Sequence, residues 1–430
     1  MSLRAIRSLA APADFLARLA HARAASRFYW RSADRALELL ALGEVAAVEA
    51  SGPGRLQAAA ARVAELLEKV WVEGDGPASA GPLCVGGFGF WDDSAGESAW
   101  RGFPPLRFWL PALLFARVGD TVWCTVTRDD ASRSCAGAER AAEPALGTGS
   151  AARSGFSACA EPSRDEFARA VSRATAAIGA GELEKVVLAR ACTLTQAGGF
   201  DAARVLRSLG ESQPGCTVYG VGLGGATFLG ASPERLVGRR GSAVHADALA
   251  GSAPRGRTPD EDARRGQSLL ESPKEREEHA IVRRAVVAAL GERCSDVRAA
   301  EAPELLRLEG IQHLHTPVSG RLADGERSSV LSLAGALFPT PAVGGAPRAA
   351  ALAFLRRHEA ARRGWYSGGV GWLAPSGEGE LCVALRSALL RGDAATLHAG
   401  VGIVAGSTPE AELDETRWKL ASALGALVEL

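Results

Sequence analysis

Residues 217–231, Thr-Val-Tyr-Gly-Val-Gly-Leu-Gly-Gly-Ala-Thr-Phe-Leu-Gly-Ala, allow two incompatible readings, and the choice between them decides the fold. Gly220, Gly222 and Gly225 fit the G-x-G-x-x-G spacing of a dinucleotide-binding turn. That fingerprint needs a strand, a tight turn and then a helix whose N-terminus receives the pyrophosphate. Here Gly225 is followed by Thr227-Phe-Leu-Gly-Ala231, a β-branched and aromatic run that predicts a second strand. Two strands joined by a glycine turn make a hairpin, so the glycines read as turn residues and no dinucleotide site is expected.

Outward from this hairpin, further strand patterns fall at 86–91, 108–118, 120–128, 183–194, 381–390 and 396–405. Helices announce themselves by their caps. Ser163 and Glu166 form an S-x-x-E box ahead of Phe167, Val171, Ala174 and Ile178 at helical spacing. Ser272-Pro273-Lys274-Glu275 is a second start, with proline where its missing N–H costs nothing. Ser407-Thr408-Pro409-Glu410 is a third, leading into Leu413, Leu420, Leu424 and Leu427. A first amphipathic helix is expected around Phe15, Leu16 and Leu19. Strands outnumber long helices and lie close in sequence, so the class is α+β with antiparallel sheet, rather than a doubly wound parallel one. The chain divides into 1–128, a mixed N-terminal part; 129–162, an Ala/Ser/Gly/Arg-rich loop or linker; and 163–430, where the chemistry gathers.

Bulk properties exclude several classes. Lys+Arg and Asp+Glu both number 49, and a net charge of zero argues against non-specific nucleic-acid or membrane binding. No apolar run reaches the roughly eighteen residues of a spanning helix. The 8 cysteines are scattered without a C-x-x-C pair, which suits reduced thiols in a cytoplasmic protein better than a disulfide framework.

Several residues look chemical, each against an ordinary alternative. Glu278 shares a helical face with Val282, Ala285 and Ala289, where a carboxylate needs a cation or donor; a core arginine would also serve. Glu412 and Glu415, three apart on the last helix, repel one another unless something positive intervenes. Magnesium, which takes oxygen ligands, is one candidate; a surface salt bridge from Lys419 is the simpler one. Lys185 opens an apolar strand, where desolvation would ease loss of its proton, unless its head reaches water at the strand edge. Glu234 follows a strand and a small-residue turn, as a buried acid or as a helix-start residue after Pro233. Gly251, Ser252 and Ala253 offer backbone N–H groups of the kind that cradle carboxylates, or an ordinary turn. Arg386 ends an apolar strand as a carboxylate clamp or a structural arginine.

Taken in order, the motifs KVVLAR (185–190), GASPERL (230–236), LAGSAPRG (249–256), KEREEH (274–279), QHLHTPVSG (312–320), FPTPAVGG (338–345), YSGGVGW (366–372), VALRSALL (383–390) and AGVGIVAGSTPEAELDETRWK (399–419) resemble the chorismate-binding enzymes, which include anthranilate, aminodeoxychorismate, isochorismate and salicylate synthases. In the N-terminal part, Arg27-Phe-Tyr-Trp30 and Gly86-Gly-Phe-Gly-Phe90 look like the isochorismate synthases of menaquinone synthesis. The resemblance implies large, mainly antiparallel sheets packed face to face with helices outside, as in anthranilate synthase component I. It implies Mg²⁺ held by Glu278, Glu412 and Glu415 together with the substrate's ring carboxylate. Lys185 matches the base that activates water for attack at C2 of chorismate, and Glu234 the acid that protonates the departing C4 hydroxyl. Gly251, Ser252, Ala253, Ala342, Arg386, Gly402 and Lys419 match substrate-contact positions, and His313 a histidine beside the reacting ring.

Lys185 also sorts the subtype. The ammonia-using branch resembles a glutamine there, so a lysine implies water as nucleophile and no glutamine amidotransferase subunit. The aminodeoxychorismate branch carries its own lysine in a P-I-K-G-T motif, where this chain has Ala248-Leu-Ala-Gly-Ser252. Isochorismate synthase is the favoured subtype, acting on chorismate as a monomer or weak homodimer. Salicylate synthase, another chorismate-using synthase of the aminodeoxychorismate or anthranilate type, and a catalytically silent chorismate-binding protein are the alternatives. Two positions depart from the pattern: Phe338 stands where many relatives have histidine, and His315 where several have alanine.

Overall fold

The deciding hairpin forms as read. Thr217–Leu223 and Ala226–Ser232 pair antiparallel from Thr217 opposite Ser232 to Leu223 opposite Ala226. The structure is a computed structural model that describes residues 3–93, 99–129, 157–323 and 327–427. Among them two sheets dominate, one of 13 strands and one of 10. Nearly every pairing is antiparallel; Leu3–Leu9 with Val70–Glu73 is parallel.

Both sheets draw on both ends of the chain. The first runs from Ser157–Glu161 through Lys185–Thr195, Ala394–Ile403, Ser387–Arg391 and the hairpin into the N-terminal strands Arg27–Arg31, Leu37–Leu42 and Leu113–Val118. The second runs from Cys294–Ala299 through Ile311–Leu322, Ala243–Pro254, Arg235–Arg240, Gly379–Val383 and Gly369–Leu373 into Cys84–Phe88 and Leu106–Leu110. The sheets meet through apolar faces. Phe28 and Trp30 of the first, and Val85, Trp109 and Trp372 of the second, share one buried cluster. Phe28 and Trp109 pack edge to face with centroids 6.3 Å apart, and each such side chain contributes about 1.5–3 kcal/mol on burial.

Helices cover the outer faces. Phe15–His21, Ala202–Ser212 and Pro409–Leu427 pack on the first sheet, and Arg55–Glu68, Pro273–Gly291 and Val330–Leu337 on the second. The caps work as the sequence suggests. Ser163 and Glu166 satisfy each other's backbone reciprocally, and the Ser272 side chain accepts from the Glu275 N–H. At the third start the acceptor is Thr408, from the Ala411 N–H, because the Ser407 hydroxyl takes the Val404 N–H instead.

Three differences from the sequence reading matter. The strand expected at 381–390 is two strands, Gly379–Val383 in the second sheet and Ser387–Arg391 in the first, and the chain crosses between sheets at Arg386. The strand expected at 108–118 likewise breaks into Leu106–Leu110 and Leu113–Val118, on either side of Pro111, which has no N–H for a ladder. The linker expected at 129–162 ends in a strand, Ser157–Glu161, which pairs with Lys185–Thr195 and satisfies that strand's outer backbone groups; residues 130–156 lie outside the described residues. No described helix is long and apolar enough to cross a membrane.

Candidate active site

Two crossovers build one wall of the site. Between Ala226–Ser232 and Arg235–Arg240 the chain passes from the first sheet to the second, and Glu234 sits in the passage. The helix-start reading of Glu234 therefore falls away. Arg386 sits in the second crossover with φ of 51°, a backbone region that costs a non-glycine residue about 1–3 kcal/mol. Both side chains are buried. Arg386 Nη2 lies 2.8 Å from His313 Nε2, and His313 Nδ1 lies 3.0 Å from Ser252 Oγ and 3.3 Å from the Gly251 carbonyl. A guanidinium only donates, so Nε2 accepts and Nδ1 carries the proton. Burial and the neighbouring Arg386 and Lys419 hold His313 well below the usual histidine pKa, so the ring is neutral.

Glu234 is pushed up to about 8, first by burial and then by the negative charge of Asp247, against the opposing pull of Lys185, Arg386 and Lys419. Held high in this way, the carboxyl keeps its proton further up the pH scale than an ordinary glutamate and can give it.

The opposite wall is made of carboxylates and lysines. Lys185 is fully buried, and its Nζ stands 2.9 Å from Glu278 Oε1, an ion pair in which the ammonium has no aligned hydrogen bond. Gly402, opposite Val187 in the neighbouring strand, makes room for it: a Cβ there would run into Glu278 Oε1 and approach Lys185 Cε to 2.8 Å. Lys274 Nζ meets Glu412 Oε1 at 2.8 Å. Lys419 Nζ meets Glu415 Oε1 at 2.6 Å and the Gly400 carbonyl at 2.9 Å. The Glu415–Lys419 pair is thus the i,i+4 salt bridge of the simpler reading, but it lies largely buried beside the cavity instead of on the surface.

Each of the three glutamates engages a different lysine, and among the described residues no group of three or more His, Cys, Asp or Glu side chains is arranged as a metal site. The donors nevertheless have the character of one. Glu412 is almost fully buried and its Oε2 makes no hydrogen bond, a cost of about 1–3 kcal/mol for a neutral group and more for a charged one. Burial and the nearby Glu415 raise the Glu412 pKa. Glu275, one turn from Glu278, is pushed up to about 7 by burial and then by Glu278. Against burial, Lys419 lowers Glu415. Crowded and oxygen-only, this set fits a hard divalent cation.

Glu234, Gly251, Ser252, Glu278, His313, Ala342, Arg386, Gly402 and Lys419 line one cavity of about 50 Å³. Lys185 stands beside Gly402 and Glu278 of that lining; Glu415 joins it through Lys419, whereas Glu412 and its partner Lys274 lie outside the lining. Ala253 does not line it, being held in the ladder opposite Gln312. The expected backbone cradle is partly used by the protein: a bulge at Gly251, φ 78°, turns the Ser252 N–H onto Glu275 Oε2 at 3.1 Å. A larger cavity of about 1080 Å³ opens elsewhere, between Trp91, Trp100, Arg356 and Trp365, and holds none of these groups. Chemistry, not volume, selects the smaller one.

Sequence reasoning missed Lys274, Glu275, Asp247 and Tyr366. Lys274 and Glu275 lie one helical turn before Glu278 and were legible as its face-mates. Asp247 is the lone charge in the run His245–Ala250. Tyr366 lines the cavity, and only the tertiary structure brings it there.

The model of the family described as chorismate binding enzyme matches residues 2–428. The chain belongs to the chorismate-binding enzymes. This member is similar to isochorismate synthase MenF of Bacillus subtilis, 34% identical over 94% of this chain and 88% of the relative. It is also similar to the salicylate biosynthesis isochorismate synthase of Pseudomonas aeruginosa, 39% identical over 81% and 76% of the two chains. Among solved structures it is similar to MenF, the menaquinone-specific isochorismate synthase from Escherichia coli, with a TM-score of 0.82 and 28% identity over 99% and 95% of the chains. Anthranilate synthase component I from Streptococcus pneumoniae shares the fold, with a TM-score of 0.73 at 22% identity over 90% and 92% of the chains. The α+β architecture and the family read from the motifs are both borne out.

Proposed function

We propose that this chorismate-binding enzyme is an isochorismate synthase, an isomerase that moves the hydroxyl of chorismate from C4 to C2. One observation carries the reading: Glu234, a buried acid pushed up to about 8, lines one cavity with the buried Arg386, and the fully buried Lys185 stands against Glu278 and Gly402 of the same lining. The relatives with printed isochorismate synthase names support it.

Chorismate is a dianion, and Arg386 and Lys419 supply positive charge in the cavity. Lys185 takes a proton from the water that attacks C2, the two ring double bonds each shift by one position, and the C4 hydroxyl leaves with the proton of Glu234. One water enters and one departs, so atoms and charge balance. Proton transfers of this kind contribute about 10²–10⁴-fold each. His313, neutral and hydrogen-bonded to Arg386, orients the guanidinium.

Glu278, Glu412 and Glu415 are the residues that would hold Mg²⁺, each exchanging its lysine contact for the metal. Bound there, the ion supplies a positive charge that polarises and anchors a substrate carboxylate. Release of Glu278 from Lys185 would also leave the amine without its carboxylate partner, which suits a base. A lysine at this position uses water, so the enzyme needs no glutamine amidotransferase partner, and the cytoplasm is its proposed location.

The test is to incubate purified protein with chorismate and Mg²⁺ and to resolve the products chromatographically. Isochorismate without added glutamine or ammonium is expected. Anthranilate formed with ammonium, or salicylate with pyruvate, would overturn the subtype, and tight chorismate binding without conversion would make the protein a silent binder.

A further inference from the structure

A row of charged side chains crosses neighbouring strands of the second sheet and ends at Glu234. Glu304, on Glu304–Arg307, stands directly opposite His315 on Ile311–Leu322. His315 lies diagonally from Asp247 on Ala243–Pro254, whose ladder partners are Pro317 for Asp247 and His315 for Leu249. The contacts are close: Glu304 Oε1 to His315 Nδ1 is 3.2 Å, and His315 Nε2 to Asp247 Oδ1 is 3.1 Å. The other Asp247 oxygen accepts the Arg235 N–H at 2.9 Å, the peptide that follows Glu234. The row also grades inward, from Glu304, 68% exposed at its side chain, to His315 at 14% and Asp247 at 13%, and then to Glu234 at 2%.

Resting on the reading of Glu234 as the acid, we propose that Glu304, His315 and Asp247 form a relay that sets how firmly Glu234 holds its proton, with His315 as its positioning residue. An imidazole gripped by two carboxylates through both nitrogens is an imidazolium, since only that form donates from both. Its charge compensates Asp247, the negative neighbour that acts most strongly on Glu234 among the described residues. The same two carboxylates hold the histidine pKa above its usual value despite burial.

Among the described residues, charges from several elements act on these groups. Glu234 faces Asp247 from the adjacent strand, Lys185 from the first sheet, Arg386 from the second crossover and Lys419 from the last helix. Asp247 faces Arg235 and His245 as well. His315 in turn acts on His279 and His313. The three cations near Glu234 all favour its charged form; burial opposes them first and Asp247 second, and His315 governs how much of Asp247 Glu234 feels.

The test is the pH dependence of kcat/KM for wild type, His315→Ala, Asp247→Asn and the double variant. In His315→Ala the uncompensated Asp247 charge moves the basic limb upward, by about one pH unit for a neighbouring charge of this kind. Asp247→Asn keeps an acceptor for the Arg235 N–H and moves the limb downward. In the Asp247→Asn background the histidine change has no further effect. A structural role alone would lower rates without moving the limbs in opposite directions. Limbs that stay in place, or move the same way, overturn the relay while leaving isochorismate formation intact. An infrared titration of the protonated Glu234 carboxyl, with Glu234→Gln as the reference, reads the same shifts without turnover. It therefore decides the relay even if the wild type makes no isochorismate.

Discussion

Glu234, Arg386 and His313 stand on crossovers and strands of a two-sheet core, where the arginine meets a neutral histidine and the glutamate is a neutral acid. Across the cavity Glu278, Glu412 and Glu415 stand on two helices, and each is held by a lysine. The first wall has its donors and its proton in place already. The second is charge-compensated from within the protein, and under the proposed reading it exchanges those partners for a metal and an anion. The difference separates a preorganised half, built from sheet geometry, from a half whose working arrangement depends on ligand.

The largest effects should come from the two proton-transferring residues. Glu234→Gln and Lys185→Ala should each reduce kcat about 10²–10⁴-fold. Calorimetry should show Mg²⁺ binding largely retained in both, since neither is a proposed ligand. Turnover surviving in Lys185→Ala would remove its role as the base. Next, Glu412→Gln on the ligand-dependent side should weaken Mg²⁺ at least about tenfold, a loss on the scale of a perturbed metal site. Its kcat at saturating metal should fall less than in Glu234→Gln. Equal losses in both measurements would erase the distinction between the walls.

Smaller is the pH effect. Glu234 must be protonated to act, and burial with Asp247 places its pKa near about 8. So the basic limb of kcat/KM should fall about tenfold per unit above that pH; a profile still rising at pH 9 would contradict the assignment. Smallest is Ser163→Ala, which removes a capping box remote from the chemistry. Thermal or urea unfolding should show a loss of about 0.5–2 kcal/mol, with kcat unchanged.

Local physics made much of this legible in the chain. Capping residues marked three helix starts, and the strand after Gly225 turned a nucleotide fingerprint into a hairpin. Ordered motifs assembled Glu234, Glu278, His313, Arg386 and Lys419 before any cavity was visible. The crossovers were not legible, because residues 381–390 have the composition of one continuous strand and the break at Arg386 exists only to change sheets. The lysine–glutamate pairing of Lys274 with Glu412 was hidden for a related reason. Those residues are 138 positions apart, and nothing local in either helix announces the other. Asp247 and His315 also act through tertiary placement, on adjacent strands whose register no short pattern specifies.

The central claim is that water supplies the new hydroxyl while the old one leaves from the other position. Reaction in ¹⁸O-labelled water, quenched early and read by mass spectrometry, tests it most directly. The account predicts isochorismate carrying one ¹⁸O at C2 from the first turnovers. Unlabelled isochorismate, with the original hydroxyl carried from C4 to C2, would contradict it.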